Sequence, residues 1–386
     1  KKLIRRSVKE GFNVIEKTQT YVTFVDEFDA AGSVKGIATA KNALLQLKKC
    51  DEQLVEYIRN LEATNPDMTA EEFETLKESM ISHMENMQHK IPSTSYKSIE
   101  NCTVVEGDVA YTWVPTIDKY TSSQQREEAR AYAEKYNNEL WAYTAVNPKT
   151  PYCTYQIDDI LLSPRLLSWM CYGYDIRGNL YWGTQYNPGL GSSGKDYYQW
   201  AARFPANGDG VLVYPGRYYG IKGPVGTIRL DAIRDGNEDY DLLYELEEMY
   251  QAKGVQESCF DQLFHLMTNG LYSDAMITYS NKNLVSDFLS GRDFLAELLS
   301  LAANADTVVS SFSMKDDKLS LALTSSSQKS VKCAGGIVQE RKEGENYIYE
   351  ITKTLTESDL RADIKIGSEG KEYSLTIAMK GIGKTC

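Results

Sequence analysis

Histidine is scarce in this chain of 386 residues: His83, His89 and His265 are the whole complement. So few, so far apart, argue against a multi-histidine metal centre and limit Ser-His-Asp chemistry. Seven cysteines are scattered (Cys50, Cys102, Cys153, Cys171, Cys259, Cys333 and Cys386) with no CxxC spacing. A zinc site or a thioredoxin-type redox pair is not expected, and the odd count gives no disulfide framework. No apolar run reaches the ~18 residues of a membrane span. Positive charge is in deficit, with a net charge of −12. That removes the basic footprint of a nucleic-acid binder, and no basic membrane-binding helix occurs. The apolar run of a signal peptide is missing as well. The chain opens on Lys1-Lys2 partway into a helical pattern, so upstream sequence is expected to precede it.

What the chain does have is a 42% hydrophobic content and many aromatics, 27 tyrosines and five tryptophans. The first is enough for a large core and, at roughly 100–200 residues per domain, for two or three domains. The second admits two readings. Rings with a polar tip suit sugar binding, stacking on a C–H face while the tip hydrogen-bonds. They also fill ordinary cores.

Along the chain, residues 1–18 read as an amphipathic helix. Tyr21-Val22-Thr23-Phe24-Val25 reads as a short buried strand ending at Asp26-Glu27. Residues 34–62 and 69–90 have helical periodicity, with Thr69-x-x-Glu72 as a capping box. Strands are expected around Cys102–Val105, 110–114, Leu140–Thr144, Asn179–Trp182 and Val211–Tyr214. Helices are expected over about 124–138, 161–174, 233–253, 258–268 and 283–302. Strands alternating with helices over 1–250 predict parallel β/α units. After about residue 305 the period becomes two, as in Leu319, Leu321 and Leu323, which predicts an antiparallel β module. The expected domains are therefore 1–304, a (β/α) barrel portion with C-terminal helices, and 305–386, a β-sandwich-like accessory domain. About five barrel-type strands fall in 1–250, whereas a closed (β/α)8 barrel needs eight. The barrel is thus expected to be N-terminally incomplete in this chain.

Several letter matches carry no chemistry. Gly189-x-Gly191-x-x-Gly194 follows Asn187-Pro188 instead of a strand and opens no helix, unlike a dinucleotide fingerprint. Gly381-x-Gly383-Lys384-Thr385 has Ala378 where a P-loop needs its first glycine. Asp235-x-Asn237-x-Asp239 has Tyr240 where a calcium loop needs glycine, and its acids are expected to cap the following helix. Asn101-Cys102-Thr103 spells a glycosylation sequon, read here as chance.

Asp26-Glu27 differs, because two acids interrupt an apolar strand where it ends, with Asp29 close by. Catalytic groups of β/α barrels sit at the C-terminal ends of strands. Two carboxylates held together cannot both ionise easily, so one pKa rises. A protonated glutamic acid can then donate to a leaving-group oxygen while the ionised aspartate stabilises developing positive charge. A solvated strand end or a cap for the next helix is the plainer alternative. Trp113, Tyr143 and Trp182 each lie at or near the end of an expected strand. They either wall a sugar subsite on the same rim or pack against helices.

Residues Leu140–Tyr143, Ser163–Trp169, Gly178–Trp182, Gly208–Gly216 and Ile228–Tyr240 form an ordered set. The run from Trp141 to about Tyr244 resembles the C-terminal part of the catalytic domain of glycoside hydrolase family 123 and its uncharacterised relatives. Val25-Asp26-Glu27 looks like that family's catalytic Asp-Glu pair, and the resemblance covers roughly residues 1–250. It implies a retaining exo-glycosidase acting on terminal β-linked N-acetylgalactosamine, with no metal or organic cofactor. The implied partner is a glycan or glycoconjugate, and the implied location is secreted or cell-surface. The implied chemistry is substrate-assisted: the acetamido oxygen attacks the anomeric carbon, an exception to the two-carboxylate scheme. By carry-over Glu27 is the general acid/base and Asp26 orients the acetamido nitrogen and stabilises the oxazolinium-like intermediate. Trp113, Tyr143 and Trp182 shape the sugar pocket, with Tyr143 a donor to the acetamido oxygen. Arg165, Asp209 and Arg229 match the family pattern and are read as supporting groups, since buried ion pairs also explain them. The chain departs from the family in having only about 25 residues before the pair, where family enzymes carry a β-sandwich and the first barrel strands. It also has Phe28 where they carry proline. A non-catalytic glycan-binding or scaffold protein on the same fold, or a hydrolase for a different sugar, are the alternatives.

Overall fold

The computed structural model describes residues 1–16, 34–87, 89–95, 111–185, 207–315, 317–356 and 359–378. The expected strand 21–25, the acids Asp26, Glu27 and Asp29, and the expected strand around Cys102–Val105 lie outside the described residues. The described part is mixed α/β. It divides into two compact units: Lys1–Tyr143 with Ile176–Leu180, and Thr144–Asp175 with Tyr181–Cys386.

The first unit opens with three helices, α1 (Lys2–Glu10), α2 (Val34–Arg59) and α3 (Ala70–Glu85). Their apolar faces meet in a core that includes Ile4, Val8, Val55, Ile58, Phe73 and Met80. Helix α1 stops well short of residue 18, because Gly11 takes the left-handed conformation (φ 76°) and the chain turns off the helix. The expected capping box starts α3: Glu72 N–H donates to Thr69 Oγ1 at 3.2 Å and Thr69 N–H donates to Glu72 Oε2 at 2.8 Å.

Strands β1 (Ile91–Ser95) and β2 (Tyr111–Pro115) pair in parallel, as do β3 (Leu140–Tyr143) and β4 (Ile176–Leu180). A parallel bridge between Thr116 and Tyr143 joins the pairs, so all four run in one direction in chain order. Helix α4 (Ser123–Lys135) separates β2 from β3, with its own capping box at Ser122 and Gln125. Strand β1 was not expected. Its sequence, Ile91-Pro92-Ser93-Thr94-Ser95, has no apolar run to announce it.

In the second unit, α5 (Leu162–Gly173) packs on α6 (Ile228–Ala252), which packs on α8 (Leu284–Ala305), with α7 (Glu257–Thr268) beside them. Two sequence expectations need correction here. The run 211–214 is not a parallel barrel strand. Strand β5 (Val213–Pro215) pairs antiparallel with β6 (Pro224–Gly226), because the Pro215-Gly216 step leads into a 3-10 turn that Gly220 closes with φ 69°. The long helix also starts earlier than expected, at Ile228, behind Thr227, whose side chain accepts from Leu230 N–H at 3.3 Å. Asp235 and Asp239 therefore lie inside α6 and do not cap it.

A two-residue hairpin, β7 (Tyr272–Ser273) and β8 (Met276–Ile277), precedes α8. After α8 come β9 (Thr307–Lys315), β10 (Lys318–Ser325), β11 (Ser330–Cys333), β12 (Ile337–Glu343), β13 (Asn346–Thr354), β14 (Arg361–Ser368) and β15 (Lys371–Ala378). They form two antiparallel sheets, ordered β12-β13-β10-β9 and β11-β14-β15. The period-two pattern is realised as buried rows, Leu319, Leu321 and Leu323 in one sheet and Ile364, Ile366, Leu375 and Ile377 in the other. These strands are tied to the helices of the same unit. Val309 N–H donates to Tyr250 Oη at 3.2 Å, and Thr376 N–H donates to Glu297 Oε2 at 2.6 Å. Among the described residues no helix is long and apolar enough to cross a membrane.

Candidate functional site

In the first unit the parallel pairing lines up four strand ends. Ser95 pairs with Pro115, Thr116 bridges Tyr143, and Tyr143 pairs with Leu180. Such a row is where β/α enzymes place reacting groups. Tyr143 is the last residue of β3 and is buried in this row. Trp113 is the middle residue of β2 and is also buried. Counting the alternation back from the Thr116–Tyr143 bridge, Trp113 falls on the opposite face of the strands from Tyr143. It packs there against Tyr120, ring centroids 5.7 Å apart, and Tyr120 Oη donates to the Trp141 carbonyl at 2.7 Å. Trp113 Nε1 is buried with no hydrogen-bond partner among the described residues. Thr94 and Thr116 are buried near the same strand ends. Neither stands out in the sequence, since a lone threonine carries no pattern.

A polar cluster in the second unit holds Trp182. Tyr181 and Trp182 follow β4 directly in the chain, and both donate to Asp209: Tyr181 Oη to Oδ1 at 3.0 Å and Trp182 Nε1 to Oδ2 at 2.9 Å. Gly210 N–H donates in turn to Tyr181 Oη at 2.6 Å, and the Tyr181 ring meets Tyr155 edge-on at 4.9 Å. Asp209 is 2% exposed, whereas Trp182 is 38% exposed. Gly208 and Gly210 flank Asp209 at φ 75° and 71°, conformations that side chains rarely adopt. Arg229, itself buried, braces the same loop by donating to the carbonyls of Tyr155, Gly208 (3.0 Å) and Val211 (2.5 Å). Burial pushes the Asp209 carboxyl above its ordinary pKa, against the hydrogen bonds from Tyr181, Trp182 and Gly210 and the charge of Arg229. Burial and the neighbouring Asp209 also push the Tyr181 phenol up.

Arg165 belongs to a separate clamp around Asp239, whose carboxylate is buried. Arg165 donates through Nε to Oδ2 at 2.7 Å and through Nη2 to Oδ1 at 3.0 Å; Arg292 Nε donates to Oδ1 at 2.7 Å and Trp169 Nε1 to Oδ2 at 3.0 Å. These bonds tie α5, α6 and α8 together at one carboxylate. Burial works against the Arg165 charge, but Asp239 outweighs it and holds the guanidinium pKa up. Sequence reasoning found Arg165 but missed Arg292 and Trp169 as partners, because residues on three helices become neighbours only through packing. Among the described residues no group of three or more histidines, cysteines or acids is arranged to hold a metal ion.

A family model for the catalytic domain of glycoside hydrolase 123 matches residues 47–246, just over half of the chain. The matched stretch contains Trp113, Tyr143 and Trp182 as well as Arg165, Asp209, Arg229 and Asp239. It begins after Asp26-Glu27 and ends before the two antiparallel sheets. No curated protein matches the chain. The chain belongs to glycoside hydrolase family 123 and is a glycosidase, with a glycan as its class of substrate.

Proposed function

We propose that this glycosidase is a retaining, substrate-assisted exo-β-N-acetylgalactosaminidase in which Asp26 and Glu27 do the chemistry. Glu27, kept protonated by its acidic neighbour, gives its proton to the glycosidic oxygen as that bond breaks. The acetamido oxygen of the substrate closes on the anomeric carbon and forms an oxazolinium-like intermediate. Asp26 accepts the acetamido N–H and balances the positive charge on the ring. Glu27, now a carboxylate, takes a proton from water as the water attacks the anomeric carbon from the side the aglycone left. Two inversions give net retention, and no enzyme nucleophile or cofactor takes part.

Tyr143 and Trp182 are proposed sugar-binding residues, Tyr143 as a donor to the acetamido oxygen. Trp113 shapes the pocket from the far face of β2 through its packing on Tyr120. The proposed frame is a (β/α)8 barrel, with residues 305–386 as an accessory domain. The four parallel strands in chain order support the barrel, being half of what closure needs. The observation that carries the reading is the family match over residues 47–246.

Two substrates test it. A chromogenic β-N-acetylgalactosaminide is expected to be hydrolysed, while the matching β-galactoside, which has no acetamide to attack, is not. A thiazoline mimic of the intermediate is expected to bind in calorimetry. Equal hydrolysis of both substrates, or no thiazoline binding, would remove substrate assistance.

A further inference from the structure

Trp182 and Asp209 are exposed to different degrees, and that contrast has a functional reading. A sugar stacks on an aromatic ring only if the ring is held at the right tilt, and an exposed indole on a loop turns about two torsions. Here the ring is 38% exposed while its N–H is bound to a carboxylate that is 2% exposed. The carboxylate is held at both oxygens, by the Tyr181 phenol and by the indole. Gly208 and Gly210 turn the chain sharply on either side of it, and a side chain at Gly208 would come within 2.6 Å of Ile157. Arg229 fixes carbonyls on both sides of the loop, and Tyr181 fills the other carboxylate oxygen. Burying a carboxylate costs free energy, and the pKa of Asp209 is accordingly raised. Asp239 also accepts an indole N–H, from Trp169, but there two arginines pair with the carboxylate, whereas the side chains that donate to Asp209 are neutral. The use of a charged, rigidly braced acceptor under an exposed ring fits a group whose job is to set that ring's orientation.

We infer that Asp209 is a positioning residue for substrate binding, acting through the indole N–H of Trp182. The inference rests on the proposed sugar-binding role of Trp182. It makes Asp209 a determinant of affinity and leaves proton transfer to other groups. Ring ordering in the free enzyme removes a cost that binding would otherwise carry.

The test uses the full chain with Asp209→Asn, Trp182→Phe and the double variant. Asn keeps one acceptor oxygen but offers the indole a weaker, uncharged partner; Phe keeps a ring but loses the N–H. With the chromogenic β-N-acetylgalactosaminide, Asp209→Asn is expected to raise KM about 3- to 10-fold while kcat stays within about twofold. In the Trp182→Phe background the same change is expected to add nothing. Acrylamide quenching of tryptophan fluorescence reads the ring without any substrate. Asp209→Asn should increase quenching, and only when Trp182 is present. Should the wild type leave the galactosaminide intact, the substrate reading fails while the quenching arm still decides whether Asp209 holds the ring. An unchanged KM and unchanged quenching in Asp209→Asn overturn the inference, as does a full Asp209→Asn effect in the Trp182→Phe background. If Asp209→Asn does not fold, Trp182→Phe decides alone, and a KM equal to the wild type overturns the inference.

Discussion

Asp209 and Asp239 are both buried carboxylates of the second unit, yet they sit in different company. Asp239 accepts four hydrogen bonds, three of them from two guanidinium groups. Asp209 accepts from a phenol and an indole, both neutral, and burial raises its pKa above the ordinary carboxylate value of about 3.9. The folded chain therefore binds that proton more tightly than the unfolded chain does. Stability from this group is present in full below about pH 4 and is lost as pH rises through the raised value. Urea denaturation of the wild type and Asp209→Asn checks the sign: the deficit of the variant should be smaller at pH 7 than at pH 4. A deficit that grows with pH would mean that the fold lowers the pKa of Asp209 instead of raising it. At this scale the sequence was half legible. Asp209, Arg229 and Trp182 each stood out, but the contact between indole and carboxylate did not, since 27 residues separate the two.

The elements show where local chemistry suffices and where packing decides. Helix α8 carries Gly291 in its interior, a position where alanine normally stabilises by about 1 kcal/mol. Here an added Cβ would come within 2.3 Å of the Met267 carbonyl oxygen on α7, a backbone atom that cannot turn aside. The clash outweighs propensity, so Gly291→Ala should destabilise by about 1–3 kcal/mol in urea denaturation. A gain in stability would show that the two helices do not approach so closely. The capping box at Thr69 and the alternation of β10, β14 and β15 depend on residues a few positions apart, so the sequence could be read for them. Strand β1 could not be read, because its stability comes from pairing with β2 and not from its own Ser- and Pro-bearing sequence. The run 211–214 misled for the opposite reason. It has strand composition, but the prolines and glycines after it fold it into a short hairpin. The start of α6 was misplaced because Thr227 alone marks it, with no glutamate three residues on to complete a box.

At the scale of the molecule, the family match crosses both compact units, from within α2 to within α6. Glycosidase identity is thus a property of the whole stretch and not of one motif. The antiparallel sheets of β9–β15 lie outside the match yet share hydrogen bonds with α6 and α8. The catalytic assignment, by contrast, rests on two adjacent acids that end an apolar run, Asp26 and Glu27. The most direct measurement of the central claim is the rate at which Glu27→Gln releases the chromophore from a β-N-acetylgalactosaminide with a poor leaving group, against the wild type. Without a general acid the rate should fall by about a hundredfold or more. Release at the wild-type rate would contradict the assignment of Glu27 as the acid that breaks the glycosidic bond.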